Sequence, residues 1–163
     1  GCYLDIGAHV GLWCLQAHEA RFEHIVACEP VRENTECLYK NLKGIDVKVF
    51  GTAIGNGEAV KMKRNTSYNS GAASCKIGNP MMSGYRETQC VDDLDIPWPI
   101  DMMKIDTEGH EIYVLQGAEE RLIKDKPVVV VEQHDDNKPV GFLKSLGAKV
   151  HKKIRRDYVL AWE

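Results

Sequence analysis

The chain has 163 residues, 44% of them hydrophobic and 28% charged, with a formal net charge of −3. That is the length of one domain with an ordinary core, residues 1–163 reading as a single unit, and its charge argues against a broad nucleic-acid-binding surface. No apolar run approaches the roughly 20 residues that span a bilayer, so no membrane association is expected.

Tyr3 to Gly11 reads as the end of a buried strand, a glycine-bearing turn and the start of a helix. Gly7 and Gly11 let backbone approach a ligand without a Cβ in the way. Asp5 stands where the strand runs out, its carboxylate expected to point into the crevice at the strands' carboxyl ends, where open α/β sheets bind ligands. A dinucleotide G-x-G-x-x-G turn would need glycines at 5, 7 and 10, where the chain has Asp5, Gly7 and Val10. An acid there would also oppose a pyrophosphate. It suits a cationic ligand, and D-x-G-x-x-x-G is the turn of methyltransferases that bind S-adenosylmethionine, with its ammonium and sulfonium. The plainer alternative is that Asp5 caps a turn.

Apolar residues at 10, 12, 13, 15 and 17 predict a helix over 10–20. His24–Cys28 reads as a strand stopped by Pro30, leaving Glu29 at its tip, 18 residues beyond Gly11. An acid about 20 positions on is where nucleotide-binding βαβ units hold ribose hydroxyls. A helix follows over 30–42, then a strand over 46–50. Asn56-Gly57 signals a hairpin returning through 58–62. Ala53 and Ile54, just past the third strand, offer an adenine ring an apolar wall.

Residues 64–90 break this rhythm as a polar, turn-rich insertion with strands expected at 72–77 and 88–91. If the protein is an enzyme, acceptor specificity is expected to reside there; the plainer alternative is a floppy surface loop. The pattern resumes at Ile100–Asp106, a strand ending in a carboxylate. A helix capped by Asp106 or Thr107 follows, with Glu108 and Glu111 explained by its dipole. Pro127–His134 is a strand apolar enough for burial on both faces, ending in Glu132 and His134. A short helix over 139–146 and a hairpin around Arg155-Arg156-Asp157 close the chain. The six cysteines contain no C-x-x-C pair, and Cys2, Cys14 and Cys28 read as free buried thiols of a reducing cytoplasm. No signal peptide precedes the first strand, and the abrupt opening suggests a missing upstream segment.

Right-handed crossovers bring Asp5, Glu29, Asp106 and the Glu132/His134 tip to one crevice. The expected fold is α/β: a class I methyltransferase (Rossmann-like) three-layer sandwich, with a mostly parallel seven-stranded sheet closed by a C-terminal antiparallel hairpin. Asp5-Ile-Gly-Ala-His-Val-Gly11 and Cys28-Glu-Pro30 with Asn34, Asn41 and Leu42 lead a set of matching positions. Ala53-Ile-Gly55, Asn69-Ser-Gly71 with Ser74, and Val91-Asp-Asp-Leu94 continue it. Lys104-Ile-Asp-Thr-Glu-Gly109 with Glu111, Val114-Leu-Gln-Gly-Ala118 and Val131-Glu132 with His134 complete it. On these residues the chain resembles the FkbM-type family of S-adenosylmethionine-dependent methyltransferases. The resemblance implies S-adenosyl-L-methionine as co-substrate and methylation of a hydroxyl on a sugar or other small molecule. By resemblance and position, Asp5, Gly7, Ala8 and Gly11 would hold its methionyl end, Glu29 with Pro30 the ribose, and Ala53 and Ile54 the adenine.

Asp106 and His134 are the candidate catalytic bases. His9, in the turn, could touch cofactor or substrate but reads rather as solvent-facing. Asp106, Glu108, Glu132 and His134 could gather around a divalent cation, but no tight spacing favours a metal. The competing readings are N-methylation, disfavoured because Asp106-Thr-Glu-Gly109 replaces the Asn/Asp-Pro-Pro-aromatic motif, and a shortened, catalytically silent binding or assembly module. Neither the acceptor nor the oligomeric state is legible.

Overall fold

The structure, a computed structural model, describes residues 1–63, 74–78, 81, 84–133 and 138–163. The chain opens with β1 (Cys2–Ile6), α1 (Leu12–Glu19), β2 (His24–Cys28), α2 (Arg32–Asn41) and β3 (Lys48–Phe50). Next come β4 (Ala59–Lys63), β5 (Ser74–Ile77), β6 (Arg86–Glu87) and a 3-10 turn at Val91–Asp93. β7 (Met102–Ile105), α3 (Glu111–Gln116), α4 (Glu119–Asp125), β8 (Val128–Glu132) and α5 (Lys138–Ser145) follow, and β9 (Lys149–Ile154) with β10 (Asp157–Ala161) ends the chain.

The main sheet has seven strands in the order β3-β2-β1-β7-β8-β10-β9. β3, β2, β1, β7 and β8 pair in parallel, and β10 runs antiparallel to both its neighbours. This is the expected class I methyltransferase fold. The chain winds outward from β1 through β2 to β3, then returns to place β7 on the other side of β1. That reversal makes β1/β7 the switch point, where the loops diverge and leave a crevice.

Alternation along the strands divides the core in two. Leu4, Ile6, Val26, Met103, Ile105, Val129 and Val131 face Val114, Leu115, Leu122 and Leu143 of α3, α4 and α5. Tyr3, Ile25 and Ala27 face Cys14 and Ala17 of α1 and Leu38 and Leu42 around α2. Each fully buried aliphatic side chain contributes about 1.5–3 kcal/mol. β8 departs from expectation: Val129 and Val131 are buried, but Val128 is 37% exposed. Val130 on the same face is half-buried, so apolar strand composition did not imply two fully covered faces.

The hairpin expected at Asn56-Gly57 does not form. Among the described residues β3 pairs with β2 alone, and β4 joins β5 and β6 in a separate three-stranded antiparallel sheet. Distant chain takes the place of the local partner: Gly55 N donates to Gln89 O at 3.0 Å, and Gln89 N to Ala53 O at 3.0 Å. The strand expected at 88–91 accordingly sits at Arg86–Glu87, with Gln89 in an isolated bridge to Ile54. Of the 64–90 stretch, residues 64–73, 79–80 and 82–83 lie outside the described residues.

The helix after β7 begins only at Glu111, with His110 at its N-cap, so neither Asp106 nor Thr107 caps it. Glu108 (φ 55°) and Gly109 (φ 99°) turn the backbone left-handed and postpone the helix. It then breaks at Gly117, where a Cβ would lie 1.9 Å from the Gly55 carbonyl oxygen. Asp92 restarts it, accepting the backbone N–H groups of Glu120 and Arg121 at the head of α4.

Candidate functional site

The turn after β1 is held by protein before any ligand arrives. Gly7 N and Ala8 N donate to the Cys28 carbonyl at 3.0 and 3.1 Å, tying the turn to β2. Gly7 has φ 84°, and a Cβ there would sit 1.9 Å from the Asp106 carbonyl oxygen. Its freedom therefore serves a close approach between the β1 and β7 loops. Gly11 (φ 85°) packs instead under Leu38 and Leu42, whose carbons a Cβ would meet at 3.1 Å. Asn41 Nδ2 donates to Val10 O at 2.8 Å and fixes the far side of the turn.

Glu29 is 5% exposed and lies at the tip of β2. Its Oε1 accepts from Val31 N at 2.9 Å and Asn34 Nδ2 at 3.1 Å. Its Oε2 accepts from His9 N at 2.9 Å. Three N–H donors thus fix the carboxylate, which lines a cavity with Ile6, Gly7, Pro30, Ala53 and Ile54. Met62, Thr107 and His110 also line it; the sequence offered Thr107 only as a helix cap and within the family motif, and singled out neither Met62 nor His110.

A second cavity lies across the Gly7–His9 turn, lined by Ala8, Val10, Leu12, Trp13 and Lys104. Gly7, His9, Asp106 and Glu108 border both cavities. Asp106 is the open carboxylate of the site, its side chain 43% exposed, with Oδ2 at 3.1 Å from Lys104 Nζ. The loop behind it hangs from one atom: Glu111 Oε1 accepts from Thr107 N, Thr107 Oγ1 and Gly109 N at 3.0, 3.2 and 3.0 Å. Glu111 is thus a loop anchor as well as a helix-dipole partner, and the exposed Glu108 belongs to the site and not to the helix.

Asp5 occupies a different place from the one expected. It is fully buried, and among the described residues it borders neither cavity. Lys104 Nζ stands 3.8 Å from its Oδ1, and Cys14 Sγ donates to Oδ2 at 3.5 Å. Burial, outweighing the attraction of Lys104, pushes the Asp5 carboxyl up to about 6. Lys104 is the residue most directly missed by the sequence reading, although its i, i+2 spacing from Asp106 places both on one strand face.

Burial also raises the thiols of Cys14 and Cys28, keeping them protonated and poor ligands or nucleophiles. His110 Nε2 lies 2.7 Å from Glu58 Oε1, and burial holds the imidazole below its ordinary pKa. Glu132 closes β8 and is not among the described residues lining these cavities. His134 lies outside the described residues. Among the described residues, no three His, Cys, Asp or Glu side chains gather closely enough for a metal ion, and no helix is long and apolar enough to cross a membrane.

The family model described as "Methyltransferase FkbM domain" matches residues 5–158. Among solved structures, the fold is similar to a methyltransferase FkbM from Methylobacillus flagellatus KT, with a TM-score of 0.65 and 19% identity. That match covers 99% of this chain and 43% of the other, so the chain spans less than half of that protein's length. A ribosomal protein L11 methylase from Lactobacillus delbrueckii subsp. bulgaricus gives a TM-score of 0.60 at 16% identity, covering 98% of this chain and 67% of that one. A putative tRNA (m1A22) methyltransferase from Streptococcus pneumoniae, solved in complex with S-adenosyl-L-methionine, gives 0.54 at 12% identity, covering 98% and 63%. No curated protein matches the chain by sequence.

Proposed function

The chain belongs to the FkbM methyltransferase-domain family, and from that premise we propose that it transfers the methyl group of S-adenosylmethionine to a hydroxyl oxygen of a sugar or other small molecule. One observation carries the reading. A carboxylate locked by three N–H donors, Glu29, and an open one, Asp106, stand on opposite walls of a single cleft at the switch point.

The residues present fit the cofactor. Ala53 and Ile54 offer the adenine an apolar wall, and Glu29 beside Pro30 offers the ribose hydroxyls an acceptor. The acids around the Gly7–His9 turn suit a positively charged sulfur. When bound, the cofactor supplies a methyl group already activated on a sulfonium. The protein's remaining task is alignment, together with removal of one proton.

We assign that proton to Asp106. With the cofactor bound, its sulfonium would give up the methyl group to the acceptor oxygen and leave as the neutral thioether, and Asp106 would take the hydroxyl proton. Lys104 Nζ, 3.1 Å from Asp106 Oδ2, holds that carboxylate in position. His134 remains the second candidate base, and acceptor selectivity is assigned to the 64–90 stretch. Asp106→Asn is expected to cut methyl transfer to the best acceptor in a panel of sugar hydroxyls by about 10²–10⁴-fold at saturating S-adenosylmethionine. Full turnover in the variant would remove Asp106 from the chemistry. Binding with no turnover by the wild type on any hydroxyl acceptor would favour the shortened, silent module.

A further inference from the structure

We propose that the methyl acceptor is anionic: it carries a phosphate or carboxylate beyond the sugar that is methylated, and Arg155 and Arg156 at the tip of the β9–β10 hairpin bind that charge. The inference rests on the methyl-transfer reading above and adds to it the charge of the substrate. Residues 149–156 include five Lys or Arg and no acid, and all eight are exposed. In a chain of net charge −3 this is a local concentration of the opposite sign. β9 is the last strand of the sheet, and lysines on such an edge keep sheets from pairing with one another. That accounts for Lys149, Lys152 and Lys153, but not for two arginines in a turn, where no strand edge is open. Arg155 has φ 57°, a backbone region that tight hairpin turns fill with Gly, Asn or Asp. A long charged side chain is thus kept where the backbone disfavours it.

The sheet carries this tip to the same rim as the cleft. Ile105 on β7 stands opposite Val131 on β8, and Glu132 stands opposite Asp157, where β10 begins. Gln133 N donates to Arg156 O at 2.9 Å, fastening the turn to the end of β8. The tip is therefore level with Asp106, two strands away at β10 and three at β9. At about 4.8 Å per strand that is a separation of about 10–14 Å along the rim. An acceptor bridging it is larger than a single sugar ring, as is a sugar on a nucleoside diphosphate or an oligosaccharide with a uronic acid. Among the described residues neither arginine forms an ion pair, whereas Lys149 pairs with Glu163 and Lys153 lies 4.8 Å from the Tyr158 ring. A guanidinium presents paired donors that match phosphate or carboxylate oxygens. The cleft end of the rim is acidic, with Glu29, Asp106 and Glu108. The two ends would draw the acceptor in one orientation, its neutral sugar at Asp106 and its charge at the hairpin.

Steady-state methyl transfer tests this, with each sugar offered as a neutral oligosaccharide, as a nucleoside-diphosphate derivative and as a uronate-bearing oligosaccharide. One anionic form is expected to exceed its neutral counterpart in kcat/KM by about 10-fold or more, and to lose that lead as potassium chloride is raised. Which form leads identifies the anion as phosphate or carboxylate. Arg155→Gln/Arg156→Gln is expected to raise KM for the leading acceptor by about 10- to 100-fold and abolish the preference, and Arg155→Lys/Arg156→Lys to restore most of it. S-adenosylhomocysteine binding by each variant shows that it is folded. A neutral form as the best acceptor, or a preference that survives the double Gln variant, would overturn the assignment and leave the methyl-transfer reading intact. No transfer to any form by wild-type protein that binds S-adenosylhomocysteine would overturn both.

Discussion

Glu29 and Asp106 are both carboxylates at the ends of parallel strands, yet they are held in opposite ways. Glu29 is almost fully buried and accepts from Val31, Asn34 and His9, while Asp106 is 43% exposed and pairs with Lys104. The β1–β2 wall is closed further by Asn41 on Val10 and by Gly7 against the Asp106 carbonyl. The β7 wall keeps Glu108 exposed and Lys104 shared between two acids. A rigid wall suits a ligand that never changes, and a wall with uncommitted charge suits proton transfer and varied acceptors. On the proposed function, recognition and chemistry would fall on different strands of one sheet.

The largest effect is expected where the two walls touch. Gly7→Ala adds a Cβ 1.9 Å from the Asp106 carbonyl oxygen at φ 84°, and should destabilise the protein by about 4 kcal/mol in denaturant melts. Gly57→Ala makes the control, since φ is 93° there but nothing lies within 4 Å, so about 1–2 kcal/mol is expected. Equal losses at the two sites would mean that the walls are not in contact.

Asp5, beneath the junction, gives the next effect. Its carboxyl is pushed up to about 6 from 3.8, first by burial. The folded state therefore binds this proton more tightly than the unfolded chain. The associated stability is full below about pH 4 and is lost as pH rises through about 6. Asp5→Asn lacks that loss, so its stability relative to wild type should improve by up to about 3 kcal/mol between those limits. Urea melts at the two pH values measure it, and a difference that does not vary with pH would contradict the assignment.

Much of the frame was legible because each parallel strand announces itself locally, as an apolar run with a polar residue at its tip. Asn34, Asn41 and Leu42 belonged to the resemblance as bare positions, and the structure gives them work: holding Glu29, holding Val10 and packing on Gly11. What local reading missed depends on distant partners. The Asn56-Gly57 signal is real as a turn, with Gly57 at φ 93°, but β4 pairs with β5 and β6 because Gln89 occupies the neighbourhood of Ala53 and Gly55. Glu108 looked like a first-turn helix acid until its left-handed backbone placed it in the cleft. The burial of Asp5 and the importance of Lys104 both come from the β1–β7 register, which no single stretch of sequence displays.

The central claim is that the locked wall is a binding site for S-adenosylmethionine, with Glu29 on its ribose. Calorimetric titration of wild type and Glu29→Gln with S-adenosylmethionine, using NAD as the control ligand, tests it most directly. The account predicts saturable wild-type binding, about 10- to 100-fold weaker in a folded Glu29→Gln protein, and no response to NAD. Unchanged affinity in the variant, or NAD binding in place of the sulfonium ligand, would contradict it.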